Sequence, residues 1–180
     1  AHGAGLSFED GTMIHQDIAW RAMSSYDLAA VGEIADRVHP GFFEAPEVLA
    51  ERQRLYRNGC YLLEIGDKPA GYVLSHPWRS GSLPALNTLL EELPATPDTY
   101  YLHDLALLPV ARRIGAASHI VSALIKHADV QGFPELSLVA VNGSQGFWER
   151  HGFSTVEQPG LEAKLASYES SARLMTRRLG

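Results

Sequence analysis

Cysteine is nearly missing from this chain: Cys60 stands alone among 180 residues, so no intrachain disulfide can form and the fold must rest on its apolar core. A basic run is missing too. The formal net charge is -6 with the 8 histidines neutral, which removes the electrostatic footprint of a nucleic-acid binder. The longest apolar runs, such as Leu136 to Val141, are strand length, against the roughly 20 residues of a membrane helix, so no membrane span is expected. No basic head followed by an apolar core opens the chain, which argues against a secretory leader and for a cytoplasmic setting. The histidines show no H-E-x-x-H or other tight ligand spacing, so no metal is expected. Internal repeats, low-complexity tracts and linkers are absent.

What is present is ordinary globular composition, 46% hydrophobic and 20% charged, which excludes long disordered stretches. The length suits one domain, since roughly 100 to 200 residues can bury a core without a second unit. Residues 1–12 are Gly-rich with little periodicity and begin at Ala1. They are read as a flexible arm or expression remnant, and residues 13–180 as the domain.

Along the chain, Ile18 to Met23 reads as a strand, and Ser24 to Asp27 supplies helix caps before Leu28, Val31, Ile34, Ala35 and Val38 recur at helical spacing. A second helix is expected over Pro46 to Tyr56. Tyr61 to Ile65 and Ala70 to Ser75 flank the turn residues Gly66 to Pro69 and form a predicted hairpin. Four prolines between His76 and Asp98 predict a loop with at most one brief helix. Then follow a strand over Tyr100 to Leu108, a helix over Ala116 to Gln131, a strand over Leu136 to Val141, a short helix over Ser144 to His151, and strands at Phe153 to Val156 and Ala172 to Leu179. The fold class is mixed α/β (α+β), with six or seven strands and about four helices.

Chemistry concentrates at Arg112-Arg113-Ile114-Gly115-Ala116-Ala117. A glycine turn between strand and helix gathers unpaired backbone N–H groups and the positive end of the helix dipole, and two arginines beside it suit a pyrophosphate. A plain tight turn is the alternative. No Gly-Lys-Ser/Thr follows, as in a P-loop, and no G-x-G-x-x-G occurs. The second segment runs Val141-Asn142-Gly143-Ser144-Gln145-Gly146-Phe147-Trp148-Glu149-Arg150-His151-Gly152-Phe153.

Together the two segments resemble the GNAT acetyltransferase superfamily, marked by R/Q-x-x-G-x-G/A after a strand, then a strand, Asn, a short aromatic helix and Gly-Phe. Arg112, Gly115 and Ala117 fill the first pattern; Asn142, Trp148 and Gly152-Phe153 fill the second. The strong likeness spans Tyr100 to Val156. It implies an acyl-CoA N-acyltransferase fold with a mostly antiparallel sheet, splayed where pantetheine lies between two strands. It implies acetyl-CoA as co-substrate, with Leu105, Ala106 and Leu107 against pantetheine and Arg112, Arg113, Ile114, Gly115, Ala116, Ala117 and Ser118 against pyrophosphate. Asn142 and Trp148 complete the implied cofactor contacts.

The resemblance gives the donor and not the acceptor. The expected partner is a small-molecule amine; a protein amine stays within the same reaction class, a non-catalytic acyl-CoA sensor is the rival, and a homodimer is left open. An ammonium must lose a proton before it attacks a thioester, which requires a base. Strand alternation sets Tyr101, His103, Leu105 and Leu107 on one side and Leu102, Asp104 and Ala106 on the other, unless a bulge resets it. His103, able to titrate near neutrality, is the candidate base; a hydrogen-bonded cleft histidine is the alternative. Leu102 to Leu107 also resembles the arylalkylamine N-acetyltransferase strand on which histidines serve the proton path, with Tyr101 in place of the second histidine. Asp104 is read as a structural pair. Where many members carry a Tyr acid, this chain has Trp148, so Tyr26, Tyr101 and Ser144 are substitute donors. Cys60 reads as a packed thiol, Glu44, Glu47 and Glu51 as a solvated face, and Phe42, Phe43 and Trp78 as core or amine-pocket aromatics.

Overall fold

The computed structural model describes residues 2–9 and 12–180. Among them eight strands form one sheet in the order β1-β2-β3-β4-β5-β6-β8-β7. The strands are β1 (His2–Glu9), β2 (Thr12–Ala22), β3 (Cys60–Ile65), β4 (Lys68–Trp78), β5 (Thr99–Leu107), β6 (Glu135–Ala140), β7 (Ser154–Thr155) and β8 (Arg173–Arg178). The helices are α1 (Leu28–Val38), α2 (Pro46–Leu55), α3 (Ala116–Val130), α4 (Gln145–Arg150) and α5 (Glu162–Tyr168). All strand pairs are antiparallel except β5 with β6.

The expected order of elements recurs, with two additions. Most of the N-terminal arm set aside above is β1, which pairs with β2 from His2↔Ala19 to Glu9↔Thr12; residues 1, 10 and 11 of it lie outside the described residues. This accounts for the strand beyond the six or seven expected, and its pairing needs no apolar periodicity because ladder bonds come from the backbone. Helix α5 is the second addition. Its signal was readable, since Leu161, Leu165 and Tyr168 recur at i, i+4 and i+7 behind Gly160.

Local chemistry explains the rest. The side chains of Ser24 and Asp27 form a capping box ahead of α1, and Pro46 sits in the first turn of α2. Gly66, at φ 62°, makes the tight turn of the β3–β4 hairpin. Pro77 is tolerated inside β4 because β3 pairs with that strand only as far as Leu74, so beyond it one side of β4 has no ladder to break. Helices α3 and α4 cover one face of the sheet, where Ile120, Leu124 and Trp148 pack on Tyr100, Leu102 and Leu136. Helices α1 and α2 cover the other, where Val31, Ile34 and Leu49 pack on Leu62, Tyr72 and Leu74. Fully burying side chains of this size contributes about 1.5–3 kcal/mol each, and the two layers hold the central strands between them.

Candidate active site

The site begins with a disagreement between two strands. β5 and β6 pair at only three positions, Tyr100↔Leu136, Tyr101↔Ser137 and Leu102↔Leu138, although β5 runs on to Leu107 and β6 to Ala140. Beyond Leu102, β5 stays with β4 through Leu107↔Gly71 while β6 stays with β8. The strands therefore diverge, and the backbone groups that β5 turns toward β6 over residues 104–107 have no ladder partner. The gap is a cleft of about 1000 Å³.

A bulge starts the divergence. Opposite β4, Leu74 pairs with Asp104 and Ser75 with Leu102, so His103 is the extra residue. The bulge resets alternation and corrects the expected facing. Leu105 and Leu107 join Leu102 toward α3, whereas Asp104 and Ala106 turn toward α1 and α2. His103 thus does not share a face with Leu105 and Leu107; it reaches the cleft because the strands part there. Leu105 and Leu107 line the cleft as expected, and Ala106 is buried in the α1 layer.

At the far end of β5 the chain makes a short 3-10 turn over Pro109–Ala111 and then enters α3 through two left-handed residues, Arg113 at φ 64° and Gly115 at φ 80°. No side chain caps α3 and no acid stands in its first turn, so its leading N–H groups stay open to an anion. Arg112 and Ala117 line the cleft directly. Arg113, Ile114, Gly115 and Ser118 form the exposed rim of the turn, and Ala116 is buried, its carbonyl accepting from Trp20 Nε1 at 2.9 Å. Ser118 Oγ lies 3.1 Å from His151 Nε2. Across the gap, Asn142 and Trp148 line the opposite wall. Asn142 holds a left-handed φ of 55°, and its backbone N–H donates to Glu169 Oε1 at 2.8 Å. Trp148 is wedged edge-on between Phe147 and Phe153.

The other end of the cleft is built from residues that the sequence did not bring together. His103 donates from Nε2 to Glu44 Oε1 at 2.6 Å, with side chains only 2% and 6% exposed. Glu44 precedes α2, so its helical spacing with Glu47 and Glu51 misleads: Glu47 is exposed, Glu44 is in the site, and buried Glu51 accepts from the Leu90 and Glu91 N–H groups. A second pair lies alongside, His39 Nε2 at 2.8 Å from Asp104 Oδ1, while the Tyr72 hydroxyl donates to Asp104 Oδ2. That histidine contact is a charge pair whose angle falls outside a hydrogen bond. Burial works against both carboxylates, yet their histidine partners outweigh it and hold Glu44 and Asp104 below the usual carboxylate range. Burial likewise opposes charge on His39, and Asp104 outweighs it, so that imidazole titrates higher than usual.

The substitute acids do not converge here. Tyr26 is 95% exposed, Tyr101 is buried among Trp78, Leu83 and Leu174, and Ser144 lines the cleft near Trp148 with its Oγ donating to Val141 O at 2.7 Å. Tyr101, expected in the chemistry, therefore does not line the cleft; burial pushes its phenol up. Of the three aromatics, Phe42 lines the cleft, Phe43 is exposed and Trp78 is buried. Cys60 is packed, and burial pushes its thiol up to about 12. No cluster that could hold a metal ion occurs among the described residues.

A family model described as the acetyltransferase (GNAT) family matches residues 28–153, which includes the splayed strands, the turn and the short aromatic helix. The chain belongs to the GNAT acetyltransferase family. Solved GNAT-fold structures superpose along nearly the whole chain. Ard1 from Thermoplasma volcanium is 14% identical, with a TM-score of 0.70 over 91% of this chain and 98% of that one. A GNAT-like decarboxylase, GphF, in complex with isobutyryl-CoA is also 14% identical, with a TM-score of 0.76 over 90% and 100%. Naa50 from Arabidopsis thaliana, in complex with the bisubstrate analogue CoA-Ac-MVNAL, is 13% identical, with a TM-score of 0.66 over 90% and 99%. Such identities establish the shared GNAT fold. No curated protein sequence matches the chain.

Proposed function

We propose that this GNAT protein transfers the acetyl group of acetyl-CoA directly to a primary amine of a small molecule. The observation that carries the reading is the position of His103 at the bulge where β5 leaves β6: Glu44 occupies Nε2, and Nδ1 is buried with no partner of its own. Pantetheine fits the gap, able to pair with the free edge of β5 beside Leu105 and Leu107, while the pyrophosphate fits the open N–H groups of α3 beside Arg112. Complexes of GphF with isobutyryl-CoA and of Naa50 with a CoA bisubstrate analogue support the same cofactor class.

In this reading His103 takes the ammonium proton at Nδ1, with Glu44 holding the ring and stabilising the imidazolium. The free amine attacks the thioester carbonyl, and unpaired β5 amides receive the developing oxyanion. The C–S bond then breaks. A thiol pKa near 8.5 makes the thiolate a tolerable leaving group, so transfer does not require an acid at Trp148. A cytoplasmic setting, where acetyl-CoA is available, goes with this activity; no helix among the described residues is long and apolar enough to cross a membrane.

Thiol release from acetyl-CoA over a panel of primary amines tests the proposal. Amine-dependent release with a stoichiometric N-acetyl product is expected, and tight CoA binding without turnover of any amine would overturn it in favour of a sensing role.

A further inference from the structure

The inner end of the cleft narrows to a chamber of about 50 Å³ bounded by His39, Phe42, Glu44, His103, Asp104 and Tyr168. This exceeds the roughly 10–15 Å³ that admits one water and falls far below the roughly 300 Å³ at which pockets take a whole small ligand. The chamber therefore accepts the head of an acceptor, and the body lies outward in the cleft. Its wall carries two carboxylates and, among the described residues, neither Lys nor Arg. Arg52 is not in the wall: its guanidinium donates to Glu51 Oε1 at 3.1 Å and to Thr88 O at 3.3 Å with Nε unpartnered, and its charge helps to hold the Glu44 carboxylate low. Arg112 belongs to the other end of the cleft, where its Nε donates to Leu107 O. A second observation points to a ligand. The His103 side chain, 2% exposed, lines the chamber with Nδ1 lacking any partner, and an acceptor nitrogen would supply one.

We propose that this chamber selects an unbranched primary ammonium, a CH2–NH3+ head, on a molecule that bears no carboxylate beside its amine. The proposal rests on the acyl-transfer reading above and adds the charge and shape of the acceptor. The ammonium gives one proton to His103 Nδ1, so its positive charge moves to the imidazole beside Glu44 and the net charge of the chamber is the same before and after that step. The amine lone pair then forms the N–C bond, the C–S pair leaves on sulfur, and the second nitrogen proton passes to that sulfur. The products are the amide, the free thiol and an imidazolium that returns its proton to solvent. A carboxylate on the α-carbon would add negative charge beside Glu44 and Asp104, where His39 is already matched to Asp104 and the wall has no Arg or Lys to meet it. A branched α-carbon would also need more room than the CH2–NH3+ head to which a chamber of about 50 Å³ is scaled.

The test uses three acceptors of equal chain length with acetyl-CoA: pentylamine, L-norleucinamide and L-norleucine. Thiol release should give kcat/KM for pentylamine at least 100-fold above norleucine, with the neutral amide between them. Glu44→Gln and Asp104→Asn should each shrink the pentylamine preference at least tenfold, chiefly by raising KM for pentylamine. Norleucine within threefold of pentylamine overturns the proposal, as does an undiminished preference in Asp104→Asn protein whose circular dichroism matches the parent. If no amine is turned over, the acyl-transfer reading fails separately. Calorimetric titration of CoA-loaded protein then decides the chamber: tighter pentylamine than norleucine binding sustains it, and equal or reversed affinities overturn it.

Discussion

Glu44 Oε1 lies 2.6 Å from His103 Nε2, although the two residues are 59 positions apart and come from a loop and a strand bulge. This contact fixes the imidazole's tautomer. With Nε2 donating to a carboxylate, Nδ1 is left as the nitrogen with a free lone pair, the one the proposed function uses.

His103→Gln should therefore lower kcat by roughly 10²- to 10⁴-fold, the range of a lost general base, and remove the acid limb of the pH–rate profile. Glu44→Gln should cost roughly tenfold or more in kcat/KM and displace that limb without abolishing it, because the base remains but loses its orienting charge. Steady-state kinetics from pH 5 to 9 on both variants would check this, and unchanged profiles would remove His103 from the proton path.

Gly115 holds φ at 80° with open space where a Cβ would stand, so Gly115→Ala meets backbone strain rather than a clash. A left-handed L-residue costs about 1–2 kcal/mol, which should appear as a lower denaturation midpoint. If the backbone relaxes instead, the first N–H groups of α3 turn away and CoA binding weakens; calorimetry separates the two outcomes.

His76 is buried, with Nδ1 donating to Pro77 O at 2.8 Å and Nε2 unpartnered. Burial pushes its imidazole down to about 3. Its folded value lies below the unfolded value near 6.5, so its contribution to stability is complete above about 6.5 and is lost as pH falls toward 3. Glu44 and Asp104, also held low, add to the loss below about pH 4. Denaturant midpoints measured from pH 7 to 3 should fall steadily. His76→Leu should flatten the part between pH 6.5 and 4.

Cys60 is fully buried, and its thiol, raised to about 12, holds a negligible thiolate fraction near neutrality. Cys60→Ala should keep acetyl transfer within about threefold of the parent. Mass spectrometry of protein incubated with acetyl-CoA alone should show no acetyl adduct on this residue; an adduct would point to a covalent route.

The geometry of the turn proposed to hold the donor was legible because its determinants are local. A glycine that must take a left-handed φ, an arginine before it and an asparagine-to-glycine-phenylalanine segment after the next strand sit within some fifty residues, and each acts through backbone conformation that its own residue type controls. The elements carrying them, β5, α3, β6 and α4, likewise followed from short-range periodicity and punctuation.

The cluster around His103, the proposed acceptor end, was decided by tertiary structure. Helical spacing assigned Glu44 to a solvated face; folding carried it onto His103 instead, since a hydrogen bond between two buried side chains depends on chain crossings that no local pattern encodes. Alternation put His103 with Leu105 and Leu107, until one extra residue opposite Leu74 and Ser75 reset the strand and turned Asp104 toward His39. Sequence alone determined the fold class and the turn suited to pyrophosphate, because backbone geometry there is set by neighbours along the chain. Only the fold decided which charges meet at the bulge of β5, because that depends on distance through space.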